Sequence, residues 1–341
     1  MNTEILPVND ESIRLAGRFI REGQIIGIPT ETVYGLGADA LNEQAVMKIF
    51  AAKGRPADNP LIVHVSCEEE IKPLVTEIPE TARLLMKRFW PGPMTLVLPK
   101  AHCIPDVVSA GLDTVGIRMP ESAAARAIIR ESRRPIAAPS ANTSGRPSPT
   151  TAMHVYEDLH GKIPLIIDDG PCRVGVESTV IDARGEIPVI LRPGGITAEM
   201  IMQAVGSVRI DEHVMQPVAE GEAVRSPGMK YKHYAPKAKV VIYDGRPEAV
   251  QAAICRRYDA FTGKACILGR TEHNYGNRRV ISLGSLQHPE EAAAALFAAL
   301  RELDEEGIEL ALCEAVDQQG IGLAVMNRMG RAAAFDIERC L

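Results

Sequence analysis

The stretch Lys53-Gly54-Arg55-Pro56-Ala57-Asp58-Asn59-Pro60 runs straight into Leu61-Ile62-Val63-His64-Val65. A helical pattern ends at Lys53, a turn rich in Gly and Pro follows, and an apolar strand then carries a histidine. Pro56 and Pro60 restrict the backbone while Gly54 frees one position, so the turn is built to hold a shape. It also concentrates two cations. Arg suits a phosphate because its fork of donors matches two oxygens, and Lys supplies a compact charge. Taken alone, such a pair reads as a solvated surface turn. The rest of the chain changes that reading, because it supplies several more polar turns of the same kind.

Working outward, the same alternation of helix, turn and strand recurs. The pattern predicts a helix over 11–22 capped by Asp10, a strand over 24–28, a loop over 29–40 and a helix over 43–52 capped by Asn42. Downstream it predicts strands over 61–65, 94–98 and 135–138, a short strand within 113–120, and strands near 163–168, 178–182 and 189–191. Helices are expected over 80–89, 123–131 and 198–205. Some strands follow one another with no helix between, which implies a mixed, twisted sheet in an α/β domain. After 238 the rhythm is regular: strands over 240–243, 265–268, 280–282 and 310–314, with helices over 247–258, 289–305 and 322–335. That is a smaller Rossmann-like βαβ domain with a parallel sheet. The expected division is a first domain over 1–209, a linker over 210–237 and a second domain over 238–341.

At 341 residues the chain is long enough for two domains. No run suggests a membrane span, and the N-terminus does not read as a signal peptide. The seven Cys are scattered, odd in number and never in CxxC spacing, which argues for reduced thiols in the cytoplasm and against a structural zinc site. The formal charge of −6 argues against a protein built mainly to coat nucleic acid.

Gly35-Leu36-Gly37-Ala38-Asp39-Ala40 matches a dinucleotide pattern, but the preceding strand ends too early and the following helix starts too late for that fingerprint. No GxxxxGK[ST] loop, GxSxG elbow or HExxH motif occurs. What remains is a set of polar turns at strand ends, where α/β domains place ligands. They hold Thr32, then Lys53, Arg55 and Asn59, then Arg118, then Ser140, Asn142 and Ser148, then Ser178, then Arg192. Four are cationic, and the Ser and Asn residues can donate to phosphate oxygens or a ribose. Each turn alone is ordinary turn chemistry; jointly they indicate a nucleotide phosphate chain. His64 alone reads as a hydrogen-bonded core histidine. The linker stretch 226–237 carries two Tyr, a His and three Lys, and reads either as a solvated face or as an active-site flap that excludes water.

Pro29-Thr30-Glu31-Thr32-Val33-Tyr34-Gly35-Leu36, Lys53-Gly54-Arg55-Pro56, Trp90-Pro91-Gly92-Pro93-Met94-Thr95 and Pro139-Ser140-Ala141-Asn142-Thr143-Ser144-Gly145 closely resemble the YrdC-like family over about 10–205. The linker resembles that of its two-domain members, and Ala324-Val325-Met326-Asn327-Arg328 is the best match in the C-terminal domain. Two-domain members make threonylcarbamoyl-AMP. The resemblance therefore implies a YrdC-like catalytic domain and a reaction of ATP, L-threonine and bicarbonate that releases pyrophosphate. Other proteins then carry the threonylcarbamoyl group to adenosine 37 of tRNA. It implies Lys53, Arg55, Ser140 and Asn142 as the catalytic tetrad, with Lys53 neutralising the reacting phosphate or carbamate. It implies Thr32, His64, Arg118, Ala138 and Ser178 around threonine, with Arg118 on its carboxylate. It implies Arg55, Asn59, Thr114, Ser140, Ser148, Arg192 and Tyr234 around ATP. Mg2+ is expected, held mostly by the triphosphate and water, with no metal ligands from the chain. Direct tRNA binding is expected to be weak or absent. The competing reading is a non-catalytic module of the same fold that binds double-stranded RNA or tRNA.

Overall fold

A computed structural model describes residues 2–216 and 234–341. The described residues fall into two compact units, one comprising 2–144 and 148–216, the other 145–147 with 234–341.

The first unit opens with β1 (Glu4–Pro7) and α1 (Asp10–Arg21). Its cap is Asn9 rather than the expected Asp10. The Asn9 side chain accepts from Ser12 N at 2.9 Å, and Ser12 Oγ accepts from Asn9 N at 3.0 Å. This reciprocal box leaves Asp10 in the first turn, where its charge favours the helix dipole. β2 (Ile26–Ile28) and β3 (Gly35–Asp39) then pair antiparallel, with Gly27 opposite Leu36. The sequence pattern assigns 29–40 to a loop; part of it is strand. Glycine hides the strand signal here because the packing demands it: a Cβ on Gly37 would lie 2.9 Å from Ile136 Cγ2. The glycines of the dinucleotide-like pattern are thus sheet glycines.

α2 (Glu43–Lys53) is capped by Asn42 and stopped by Gly54 in the left-handed conformation, φ 61°. β4 (Ile62–His64), α3 (Glu80–Phe89), β5 (Met94–Pro99), α4 (Asp106–Ser109), β6 (Thr114–Arg118), α5 (Ala123–Ser132), β7 (Ile136–Ala137), α6 (Ala152–Leu159), β8 (Leu165–Asp168), β9 (Thr179–Asp182), β10 (Val189–Arg192), α7 (Ala198–Val205) and β11 (Arg209–Ile210) complete the unit. The strands form one mixed sheet in the order β1-β8-β2-β3-β7-β4-β6-β5-β9-β10-β11. β1, α4 and α6 carry no strong apolar pattern, and the sequence pattern does not predict them.

One face of the sheet packs on α2 and α3 through a large core that includes Ile49, Phe50, Val63, Leu85, Leu96 and Ile117. On the other face, α1 and α5 cover β2, β7 and β8 through Ile20, Ile26, Ile128, Ile136 and Ile167. Over β4, β5, β9 and β10 the apolar cluster of that second face comprises Ile62, Val97, Val180 and Leu191, with half-buried Val189, and no described helix contributes to it. This part of the sheet is the floor of the site.

The second unit contains β12 (Lys239–Gly245), α8 (Pro247–Asp259), β13 (Ala265–Gly269), β14 (Val280–Ser282), α9 (Pro289–Glu305), β15 (Leu310–Glu314), α10 (Gly322–Ala332) and β16 (Ile337–Cys340). Every pairing is parallel, in the order β14-β13-β15-β12-β16. The sequence pattern does not predict β16, a mostly exposed edge strand, Ile-Glu-Arg-Cys, that exists by pairing with β12. The helix expected to reach 335 stops at Ala332, and Ala334 and Phe335 adopt positive φ. Within this unit Arg301, almost fully buried, donates from Nη2 to Pro147 O at 2.7 Å. Among the described residues no helix is long and apolar enough to cross a membrane.

Candidate active site

Sheet register brings three predicted elements into one row. His64 on β4 is opposite Arg118 on β6, and Arg118 is opposite Thr95 on β5. All three are buried. Ser178, just before β9, shares a hydrogen bond of 2.8 Å between its hydroxyl and that of Thr95. Ala138 follows β7, and its N–H donates to Ile62 O at 2.9 Å. The loop between β2 and β3 crosses the end of this row. There Thr32 Oγ1 accepts from Arg118 Nη1 at 2.9 Å.

Arg118 is not waiting with an empty fork. Its Nη2 donates to Glu31 Oε1 at 2.6 Å, and both side chains are buried. Its Nε has no hydrogen-bond partner among the described residues. Burial works against an ionised Glu31, but the Arg118 charge and hydrogen bonds outweigh it and hold the carboxyl below its usual range. Removing either partner would strand a buried charge, at a cost of about 3–5 kcal/mol. His64 is driven the other way: burial, then the neighbouring Arg118 charge, push it down to about 3, so the ring is neutral. Its Nδ1 lies 3.3 Å from Ile136 O.

A second knot joins the end of α2 to the turn after β7. Gly54 halts the helix, so Lys53 is its last residue and points into the turn. Its ammonium donates to the backbone oxygens of Ser140 and Asn142, the latter at 2.5 Å, and lies 3.4 Å from Asn142 Oδ1. Ser140 Oγ donates to Asn142 Oδ1 at 2.6 Å. Three of the four predicted tetrad members are therefore in direct contact. Arg55, the fourth, starts the next turn and donates from Nη2 to Asn59 O at 3.0 Å. Asn59 itself is buried, and neither amide atom of its side chain has a partner among the described residues.

Arg192 lies along the Ser178 backbone, donating to Ser178 O from Nε at 3.2 Å and from Nη2 at 3.0 Å. The following turn presses close: a Cβ on Gly194 would lie 2.4 Å from Thr179 N and 2.5 Å from Glu177 O. Only glycine permits that approach. Ser148 Oγ donates to Glu177 Oε1 at 2.6 Å, both buried. Ser140 and Ser148 were expected to donate to phosphate; here each spends its proton on a neighbouring side chain. A ligand would have to turn those hydroxyls or use their lone pairs.

Thr114 is at the far end of β6 on the same face as Arg118. They are four positions apart along the strand, or about 13 Å at roughly 3.3 Å per residue. Between them Gly116 keeps the face low, within a crevice also lined by Ile62, Thr95 and Val180. Tyr234 belongs to the second unit, where its ring is 5.1 Å from that of Phe297 and lies under the Arg328 guanidinium at 5.9 Å. Most of the predicted flap, 217–233, lies outside the described residues.

The sequence pattern does not single out Glu31, Thr95 or Glu177. Each is visible in it only as a neighbour of a chosen residue or motif. Glu31 abuts Thr32, Glu177 abuts Ser178, and Thr95 ends a quoted motif.

A family model described as Telomere recombination, Sua5/YciO/YrdC, matches residues 18–194. A relative from Pyrococcus abyssi, named Threonylcarbamoyl-AMP synthase, is 49% identical over 336 residues, covering 97% of this chain and 96% of the relative. The chain belongs to the Sua5/YciO/YrdC family. A second model, described as Threonylcarbamoyl-AMP synthase, C-terminal domain, matches residues 196–334. This makes the chain similar throughout to two-domain members of the Sua5 type. A Bacillus subtilis relative of the same name is 48% identical over 343 residues, covering 99% of this chain and 97% of its own length. The crystal structure of P. abyssi Sua5 complexed with L-threonine superposes with a TM-score of 0.94 at 47% identity, covering both chains completely. The expected fold class, a mixed-sheet Sua5/YrdC domain with a smaller parallel α/β domain, holds.

Proposed function

We propose that this protein condenses ATP, L-threonine and bicarbonate into L-threonylcarbamoyl-AMP and pyrophosphate, acting as a nucleotidyltransferase. The observation that carries the reading is likeness along the whole chain to relatives named threonylcarbamoyl-AMP synthase. The P. abyssi homologue's complex with L-threonine supports threonine as the amino acid.

The neutral threonine amine adds to CO2 with loss of a proton to solvent, or to bicarbonate with loss of water, and becomes a carbamate. A carbamate oxygen then attacks the α-phosphorus of ATP in line, and pyrophosphate leaves. Such a step needs positioning and charge stabilisation more than covalent help. Arg118 takes the threonine carboxylate, with Thr32, His64, Ala138 and Ser178 shaping that end of the row. Neutral His64 offers a hydrogen bond without adding charge. Lys53 meets the charge that develops on carbamate and phosphate, held in place by Ser140 and Asn142. Arg55, Asn59, Ser148 and Arg192 receive the triphosphate, and Asn59 brings an amide whose hydrogen bonds are still to be made. Thr114 serves the nucleoside end, and Tyr234 is assigned to ATP as well. Among the described residues no group of three or more His, Cys, Asp or Glu could cage a metal. Mg2+ is proposed to arrive on the triphosphate with its own water, where it would neutralise phosphate charge.

The product then passes, in the cytoplasm, to proteins that modify adenosine 37 of tRNA. The RNA-binding alternative draws no support from the full-length relatives, and the −6 charge opposes it. The test is pyrophosphate release with ATP, L-threonine, bicarbonate and Mg2+, omitting each in turn. Release should require all four. Release that ignores threonine would overturn the substrate assignment, and salt-sensitive RNA binding without any turnover would restore the alternative.

A further inference from the structure

The Arg118–Glu31 pair goes beyond a carboxylate dock. Arg118 has five donor hydrogens. Nη1 serves Thr32 and Nη2 serves Glu31, while the buried Nε is unfilled among the described residues. The Glu31 carboxylate takes Arg118 and is also hydrogen-bonded by its own backbone and by that of Glu121. Its Oε1 receives Arg118 at 2.6 Å, while Oε2 has a long contact of 3.4 Å from Ser122 N. The carboxylate also lines a cleft of about 230 Å³ formed with Thr30, Ser122, Asp169 and Cys172. The described arrangement is thus a buried cation and a buried anion in contact, with the Arg118 Nε still unfilled among the described residues.

A simple carboxylate gains little from such a pair, because Glu31 already offsets the Arg118 charge and repels a second anion. An α-amino acid is different. Its carboxylate and its amine are joined through one carbon, so it presents both signs within the reach of one ion pair. We propose that Glu31 is a specificity-determining residue of the threonine site: it receives the amine N–H of the incoming amino acid while Arg118 receives the carboxylate. The pair then reads a zwitterion and discriminates against carboxylates that lack an amine. The groups facing Glu31 are Arg118, Thr32 and, through the row, His64. Of these only Arg118 is charged, while Glu121, Asp169 and Arg173 line the cleft on the other side of the carboxylate. The same hydrogen bond orients the amine once it has lost its proton to solvent and attacks the carbon of CO2, releasing a second proton, or of bicarbonate, releasing water. This inference rests on threonine being the substrate, as proposed above.

The test compares L-threonine with 3-hydroxybutyrate, which keeps the carboxylate and hydroxyl but has no amine, by calorimetric titration of the full chain. Wild type should bind threonine at least 100-fold more tightly. In Glu31→Gln, which keeps the shape and the acceptor for Arg118 Nη2, threonine should weaken about tenfold or more. 3-Hydroxybutyrate should hold steady or tighten, so the ratio falls at least tenfold. An unchanged ratio, with both ligands weakened alike, would reduce Glu31 to a structural role and overturn the inference. Failure of wild type to bind threonine at all would instead overturn the substrate reading beneath it. Should Glu31→Gln not fold, Glu31→Asp retains the charge at a shorter reach. It should keep a preference for threonine with a weaker absolute affinity, and loss of that preference would count against the proposal. ATP binding, which does not involve Glu31, should change by less than twofold in either variant.

Discussion

Lys53 donates its ammonium to the Asn142 backbone oxygen at 2.5 Å, tying the last residue of one helix to a turn 89 positions further along the chain. The same nitrogen reaches the Ser140 carbonyl. A cation this deeply buried persists only because carbonyl oxygens replace its lost hydration. They also fix the ammonium beside the turn that carries Ser140 and Asn142.

Lys53→Met should therefore harm both stability and chemistry. The two abandoned carbonyls would each cost about 1–3 kcal/mol, and loss of the charge should lower the rate of pyrophosphate release by about 100-fold or more. Thermal denaturation and the omission assay measure the two separately. Activity within threefold of wild type would remove Lys53 from the mechanism.

The Ser148–Glu177 hydrogen bond of 2.6 Å makes a more selective prediction. Glu177 fixes the Ser148 hydroxyl in one direction, next to the segment that Arg192 grips. Glu177→Gln trades a charge-assisted bond for a neutral one, a loss of about 1–2 kcal/mol. If Ser148 serves the triphosphate, KM for ATP should rise roughly tenfold while KM for threonine stays within twofold. Equal changes in both would show that Glu177 supports the fold of the site rather than its nucleotide end.

Much of this site is legible in the amino-acid sequence, for a physical reason. Turns must be polar and conformationally special, so Gly54, Pro56 and the Ser/Asn run after Pro139 announce themselves locally. Helix α7 and strands β14 and β15 show their full periodicity in sequence and fall where it places them. What stays hidden depends on partners distant in the chain. β3 looks like a loop because its glycines answer to Ile136 and Ala138. β16 has no pattern of its own beyond its pairing with β12. Glu31 and Glu177 look like ordinary acidic residues until Arg118 and Ser148 are folded against them. No local period encodes an ion pair between residues 87 positions apart.

His64 makes a prediction about pH. Burial and the Arg118 charge depress its folded value to about 3, against an ordinary value of 6.5. Above pH 6.5 neither the folded nor the unfolded ring carries a proton, so stability is flat with respect to this group. Below it, the unfolded ring takes up a proton that the folded ring refuses. Stability should then fall by about 1.4 kcal/mol per pH unit from this residue, with no further loss once pH drops below about 3. Glu31, also held below its ordinary range, adds loss in the same direction once pH falls under about 4.5. Urea unfolding at pH 7, 6 and 5 should show this slope in wild type, and His64→Leu should reduce it by close to one proton between pH 6 and 5. Because the folded ring stays neutral, threonine binding should show no inflection from His64 between pH 5.5 and 8. A slope that survives His64→Leu, or a binding inflection near 6.5 that the variant abolishes, would show that the ring takes up its proton in the folded protein.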